Sequence, residues 1–223
     1  MIKAIFYKEW IKMRWFCFVA ALFLAGFTAY ALLRVQRVIT FKGAAHIWQV
    51  MLEKEVVLID LLQYLPVLLG ILTALVQFVP EMAQKRLKLT LHLPFPQRRM
   101  ILLMTGTGLA ALVVLYAAQT FALWAYFRAV LAPELVARIL LTALPWYLAG
   151  LTLYPLTAWV CLEPTWRRRI ADMLVAAGVC RIFFLSESPQ AYDGMLPWLC
   201  ALLLCVLFFP LLSVHRFKQG CQD

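Results

Sequence analysis

Charge is scarce in this sequence. Only 14% of its 223 residues are Asp, Glu, Lys or Arg, while 65% are hydrophobic and the mean hydropathy is +0.84. Such a composition excludes a soluble globular domain and a disordered chain. Acidic residues are scarcer still, 11 against 21 basic, for a net charge of +10. Cys17, Cys161, Cys180, Cys200, Cys205 and Cys221 form no C-x-x-C pair, and most lie in apolar runs, where cysteine behaves as a small hydrophobe. A disulfide framework and a redox role are therefore not expected. Reactive motifs are missing too. There is no G-x-S-x-G and no H-E-x-x-H, and no Cys/His cluster has metal-ligand spacing. His46, His92 and His215 fall in loops or at the ends of apolar runs. Met100 and Met104, one helical turn apart, read as packing residues. The phosphate-cradling G-x-x-x-x-G-K-[ST] is absent, which excludes ATP binding by that route. No metal or cofactor is expected on this chain.

What is present is a series of long apolar runs. Trp15–Leu33 is uncharged, Val56–Pro80 carries only Asp60, and Met100–Phe127, Ile139–Leu162 and Gly194–Val214 are uncharged. Ile170–Ser186 contains Asp172 and Arg181 and is the weakest. A helix needs roughly 20 apolar residues to cross a hydrocarbon core about 30 Å thick. Barrel strands would alternate apolar and polar residues, and these runs do not. The expectation is an all-α polytopic membrane protein forming one transmembrane domain over residues 1–223. Its six spans would lie near 15–33, 56–79, 100–126, 139–162, 170–186 and 195–214. The first run is too long for a secretory leader and no small-residue cleavage site follows it, so it reads as a permanent span.

Basic residues mark cytoplasmic loops. With the N-terminus inside, the inner segments hold twice as many lysines and arginines as the outer ones, so both termini are expected inside. Topology then explains the net charge without nucleic acid. Residues 1–14 read as an amphipathic helix on the inner surface, with Ile2, Phe6, Trp10 and Met13 on one face and Lys8, Glu9 and Lys12 on the other. The competing reading is a plain extension of the first span. Trp15, Trp124, Trp159, Trp166 and Trp198 fall near span ends, where interface anchors belong. Pro66, Pro145, Pro155 and Pro210 predict kinks.

Charges inside spans are costly and often functional. Asp60, Gln63 and Tyr64, at i, i+3 and i+4, are candidates for a polar face toward a substrate pathway. Alternatively, Asp60 pairs with an outer-loop arginine. Asp172 lies four residues after Arg168, a spacing that suggests a local ion pair. Arg181 is near a span end and can snorkel. Asp172 and Arg181 complete the pathway candidates.

The most distinctive segment is the basic insert between the second and third runs, Val79 to Met100. Its helix-like part, Met82–His92, carries Lys85, Lys88 and His92 on one stripe and Leu87 and Leu91 on another. It stops at Leu93-Pro94-Phe95-Pro96. Two faces and a proline stop suit a short helix lying along the membrane and docking a soluble partner.

At these residues the chain resembles a known family. Phe6-Tyr7-Lys8-Glu9-Trp10-Ile11-Lys12-Met13-Arg14 looks like the start of permease subunits of ATP-binding cassette (ABC) exporters of the type-2 class. Glu81, Lys85-Arg86-Leu87-Lys88-Leu89, Leu91-His92-Leu93-Pro94 and Arg98-Arg99 are similar to that class's loop between spans two and three. The outer turn 187–196 is shorter than the family's. The resemblance implies a coupling helix that seats on a separate ATPase through Glu81, Lys85, Arg86, Lys88, Leu89, His92, Arg98 and Arg99. It also implies a pathway enclosed with a second permease copy or a related chain, export of a lipid-like, peptide or drug-like substrate, and ATP and Mg held by the partner ATPase. A bacterial inner membrane and contact with its lipids complete the expectation. The alternatives are a membrane-embedded lipid-modifying enzyme and a non-transporting membrane assembly protein.

Overall fold

The computed structural model describes residues 2–42, 59–83, 96–186 and 188–219. Among them there is no strand, in agreement with the all-α expectation. The helices are α1 (Ile2–Lys42), α2 (Leu65–Ala83), α3 (Gln97–Val130), α4 (Pro133–Leu162), α5 (Trp166–Ile182), α6 (Leu196–Val206) and α7 (Phe209–Lys218). Single 3-10 turns precede α2 (Asp60–Leu62) and α6 (Asp193–Met195).

Among the described residues, five helical stretches are long and apolar enough to cross a membrane: Ile2–Phe41, Asp60–Ala83, Gln97–Val130, Pro133–Leu162 and Asp193–Lys218. The fifth expected span, 170–186, corresponds to α5. That helix has 17 residues and carries Arg167, Arg168, Arg169, Asp172 and Arg181, too many charges for so short a helix to qualify.

The N-terminal helix departs from expectation. Residues 2–14 are not a separate interfacial helix but the first turns of α1, continuous over 41 residues. At 1.5 Å per residue it is roughly 60 Å long, about twice the hydrocarbon thickness. The faces also differ from expectation, since Met13 of the apolar face is buried together with Glu9 of the polar one. Ile2, Phe6 and Trp10 are exposed, whereas Glu9 is buried. The reason is tertiary: the polar side has partners of its own inside the bundle.

α2 and α4 form the centre. Gly70 of α2 lies against Gly150 of α4 so closely that a methyl group on Gly70 would overlap the Gly150 carbonyl. A methyl on Gly150 would overlap the Pro66 carbonyl and the Tyr116 hydroxyl. Small residues let membrane helices approach to backbone contact, where dispersion and interhelical hydrogen bonds replace the hydrophobic drive lacking in lipid. α3 and α1 pack on one side of this pair, and α5, α6 and α7 pack on α4. Phe78, Met104, Leu112, Phe127 and Tyr154 fill the middle and are fully buried. Many apolar side chains of α1, α5 and the α6–α7 pair face outward, among them Phe18, Leu22, Leu174, Trp198 and Leu204.

Polar residues on the helices are mostly self-satisfied. Thr28, Thr73, Thr105, Thr107, Thr120, Thr142, Thr152 and Thr157 each donate to the carbonyl four residues back. The prolines act unequally. Helix α4 runs unbroken through Pro145 and Pro155. Pro210 coincides with a break: α6 ends at Val206 and α7 starts at Phe209. Its ring would clash with the Val206 carbonyl, four residues earlier, in a continuous helix. Trp159 is not an interface anchor. It is buried, edge-on to Phe209 at 5.0 Å. Trp15, Trp166 and Trp198 are exposed, as anchors should be.

Candidate functional site

Two clusters of buried charge lie at one end of the bundle, where α1 and α3 begin and α2, α4 and α7 end. The first centres on Glu9 and Glu81, both with fully buried side chains. Lys12 Nζ is 2.9 Å from Glu81 Oε1 and 3.1 Å from Glu9 Oε2. Lys8 Nζ is 3.0 Å from Glu81 Oε1 and 3.8 Å from Glu9 Oε1. Glu9 and Lys12 are three residues apart on α1, so one helix face presents an anion and a cation together. Two carboxylates and two ammonium groups make the cluster neutral, the condition under which buried charge is tolerated.

Gln77 extends the cluster into the core. Its Nε2 donates to Glu9 Oε2 at 3.0 Å and to the Met104 carbonyl at 2.8 Å, while its Oε1 accepts from the Tyr154 hydroxyl at 2.6 Å. One side chain of α2 thereby ties α1, α3 and α4. A methyl on Gly108 would strike both Gln77 Oε1 and the Tyr154 hydroxyl, so that glycine leaves room for the bond. Tyr154→Phe is expected to lower stability by about 1–3 kcal/mol, because the buried Gln77 oxygen loses its donor. Thermal unfolding of the detergent-solubilised protein, read as apparent Tm, checks this.

The second cluster centres on Glu163, the residue after α4, whose side chain is fully buried. Arg216 Nη2 of α7 is 2.9 Å from Glu163 Oε2, and the Ser213 hydroxyl is 2.6 Å from the same oxygen. Thr165 donates to Glu163 Oε1 at 3.1 Å. Arg169 Nη2 of α5 donates to the Glu163 backbone carbonyl at 2.7 Å, satisfying a helix-end acceptor. Glu163 thus fastens α4 to α5 and α7. Asp172 is also buried, and its Oδ2 has no hydrogen-bond partner. The ion pair expected between Arg168 and Asp172 is not formed.

The opposite end holds one ion pair among the described residues. Arg34 Nη1 donates to Asp60 Oδ1 at 3.0 Å, with both side chains more than half exposed. Asp60 is therefore paired with an arginine, as in the alternative reading. It also lies in a 3-10 turn before α2, so Asp60, Gln63 and Tyr64 do not share a helix face. Tyr64 stacks on Phe184 at 5.0 Å, and Gln63 lines a cavity of about 30 Å³ with Pro145, Trp146 and Tyr192. Arg181 is exposed in the last turn of α5. The structure thus does not bring the five pathway candidates together at one lining.

Of the docking residues, Glu81 points into the bundle, and Arg98 and Arg99 are exposed in the first turn of α3. Lys85, Arg86, Lys88, Leu89 and His92 lie outside the described residues, as does most of the expected coupling helix. Glu9, Gln77, Tyr154 and Arg216 have no site role in the sequence reading, and Glu163 enters it only as part of the inner loop 163–169, a second candidate contact for the ATPase. The available signal was a lone carboxylate at the edge of an apolar run, which is true of Glu9, Glu81 and Glu163 alike.

The class these observations define is an all-helical protein whose apolar helices fit a multi-pass membrane protein. No family model, curated protein or solved structure matches the chain.

Proposed function

We propose that this chain is the membrane-spanning permease subunit of an ATP-driven exporter of the type-2 ABC class. It would sit in a bacterial inner membrane with both termini in the cytoplasm. The observation that carries the reading is the position of Glu81. It is the acidic residue directly before the helix-like part of the basic insert and is held by Lys8 and Lys12 of α1. A force applied by a partner to residues 82–92 would reach α1 directly through those ion pairs, and α3 and α4 through Gln77. That is the mechanical connection a coupling segment needs.

On this reading α5 and the residues after it supply the fifth of six crossings. α5 starts beside Glu163, while Tyr192 lines a cavity with Leu141 and Thr142 toward the other end of α4. A second copy or a related chain would pack on the outward apolar faces and close a pathway. Closure of the ATPase pair would move α1 and α4 together, a rigid-body switch between two packings. ATP and Mg would belong to the partner, and the substrate would be lipid-like, a peptide or drug-like.

Lys85→Glu with Lys88→Glu tests the reading. The tagged wild-type protein, purified from native membranes, is expected to carry an ABC ATPase identified by mass spectrometry. The double variant is expected to lose at least about tenfold of it, as two charge reversals at a docking contact would require. Equal recovery from a monodisperse variant would reject docking through this segment.

A further inference from the structure

The buried carboxylates Glu9, Glu81 and Glu163 are already paired with Lys8, Lys12 and Arg216. The remaining buried carboxylate at this end, Asp172, forms no ion pair among the described residues, with Arg98 or with any other. Arg98 is exposed there and makes no ion pair among the described residues. It stands at the mouth of a groove between α3 and α7, with a volume of about 500 Å³.

The groove has a polarity. Gln97, Arg98 and Leu102 line it from α3, and Phe208, Leu212 and His215 line it from the other wall. Phe208, Leu212 and His215 are spaced i, i+4 and i+7, so they form one stripe. Arg98 belongs to the first turn of α3 and His215 to the last turn of α7, which places both at the bundle end. Leu102 and Phe208 lie about one to two turns deeper. One end is therefore cationic and hydrogen-bonding, and the interior is apolar.

We infer that this groove binds an anionic phospholipid from the surrounding leaflet. Its phosphate would meet the Arg98 guanidinium and the His215 ring, and an acyl chain would lie along Leu102, Phe208 and Leu212. Three features favour this occupant. The positive charge at the mouth has no ion-pair partner among the described residues. The polar-to-apolar order follows the order of a lipid from headgroup to tail. Basic pockets between helices at a membrane surface suit anionic headgroups. A free phosphate would use the mouth and leave the apolar wall unexplained.

The test compares lipid retained by the full-length protein. It is reconstituted in mixed vesicles of phosphatidylglycerol and phosphatidylcholine, extracted in mild detergent, washed, and its bound lipid measured by mass spectrometry. Wild type is expected to retain phosphatidylglycerol at least about fivefold over phosphatidylcholine, the discrimination one basic contact supplies. Arg98→Gln is expected to lose most of that preference. Arg99→Gln removes the same charge one residue away, outside the groove lining, and is expected to keep it. Leu212→Trp, which fills the apolar wall, is expected to reduce retention with Arg98 intact. Washing with millimolar inorganic phosphate is expected to leave the bound lipid in place. Equal retention of the two lipids by wild type would overturn the inference. Equal losses in Arg98→Gln and Arg99→Gln would reduce it to general surface charge and also overturn it. Displacement by phosphate, or no effect of Leu212→Trp, would mean an anion site without a lipid.

Discussion

Lys12→Met is expected to destabilise the protein by about 3–5 kcal/mol, the range for breaking a buried pair by removing one partner. It should cost more than removing either glutamate, for a reason that lies in charge and exposure. The cluster is neutral, with Glu9 and Glu81 fully buried, Lys12 15% exposed and Lys8 38% exposed. Without Lys12, two carboxylates that cannot reach water share one lysine. Without Glu81, the surplus charge is Lys8, whose exposed side chain can swing outward. The double variant Lys12→Met, Glu81→Gln restores neutrality around Glu9 and Lys8. It is therefore expected to be more stable than Lys12→Met alone, a strong departure from additivity. Apparent Tm in detergent for the four members of the cycle decides it. Additive losses would mean that the residues pack independently and that the ion pairs carry little coupling.

The same cluster separates what the sequence made legible from what it did not. Apolar runs identify membrane helices because every polar backbone group in lipid must be satisfied within the segment, and the helix does that locally. The cores of α1, α2, α3, α4 and the last crossing were read from that rule alone. Their ends were not, since α1 runs well past the apolar run that announced it, on both sides. Periodicity placed Glu9 and Lys12 on a water-facing side because it knows only the residue's own helix. Glu81, 69 positions further on from Lys12, and Gln77, 68 further on from Glu9, supply the partners that turn that side inward.

Glu163 was hidden in the same way. In sequence it opens a short basic loop, Glu163-Pro164-Thr165-Trp166-Arg167-Arg168-Arg169, and reads as solvated. In the structure it is buried because Arg216 and Ser213 come to it from α7. Asp60 went the other way. A carboxylate inside an apparent span left two readings open, a pathway face or a pair with an outer-loop arginine; the helix begins only at Leu65 and Asp60 meets Arg34 in the open, as the second reading has it. In all three cases the deciding contact is long-range, and residue type alone cannot choose between a buried pair and a solvated one. The two clusters also share a position. The end that would meet an ATPase is fastened by buried ion pairs, and the opposite end has one exposed pair among the described residues. Exposed pairs contribute little to stability. A push at the fastened end would be carried by whole helices and released at the looser one.

Gly70→Ala is expected to destabilise the centre of the bundle, with a cost of about 1–3 kcal/mol for an inserted methyl and more for any larger side chain. The methyl would meet the Gly150 backbone carbonyl rather than a flexible side chain, so no rotamer change can relieve it. α2 and α4 would have to separate. The Tyr116 hydroxyl of α3 donates to the Pro66 carbonyl of α2 at 2.7 Å beside the same contact, so a shift of α2 would disturb that hydrogen bond as well. Gly26→Ala supplies the opposite sign. Gly26 lies within α1 with open space where its methyl would go. There the substitution removes only glycine's helix penalty and is expected to be neutral or to stabilise by up to about 1 kcal/mol. Apparent Tm of the two variants, measured in the same detergent, should fall on opposite sides of wild type or nearly so. Matching values would mean that the α2–α4 backbone contact does not hold the two helices together.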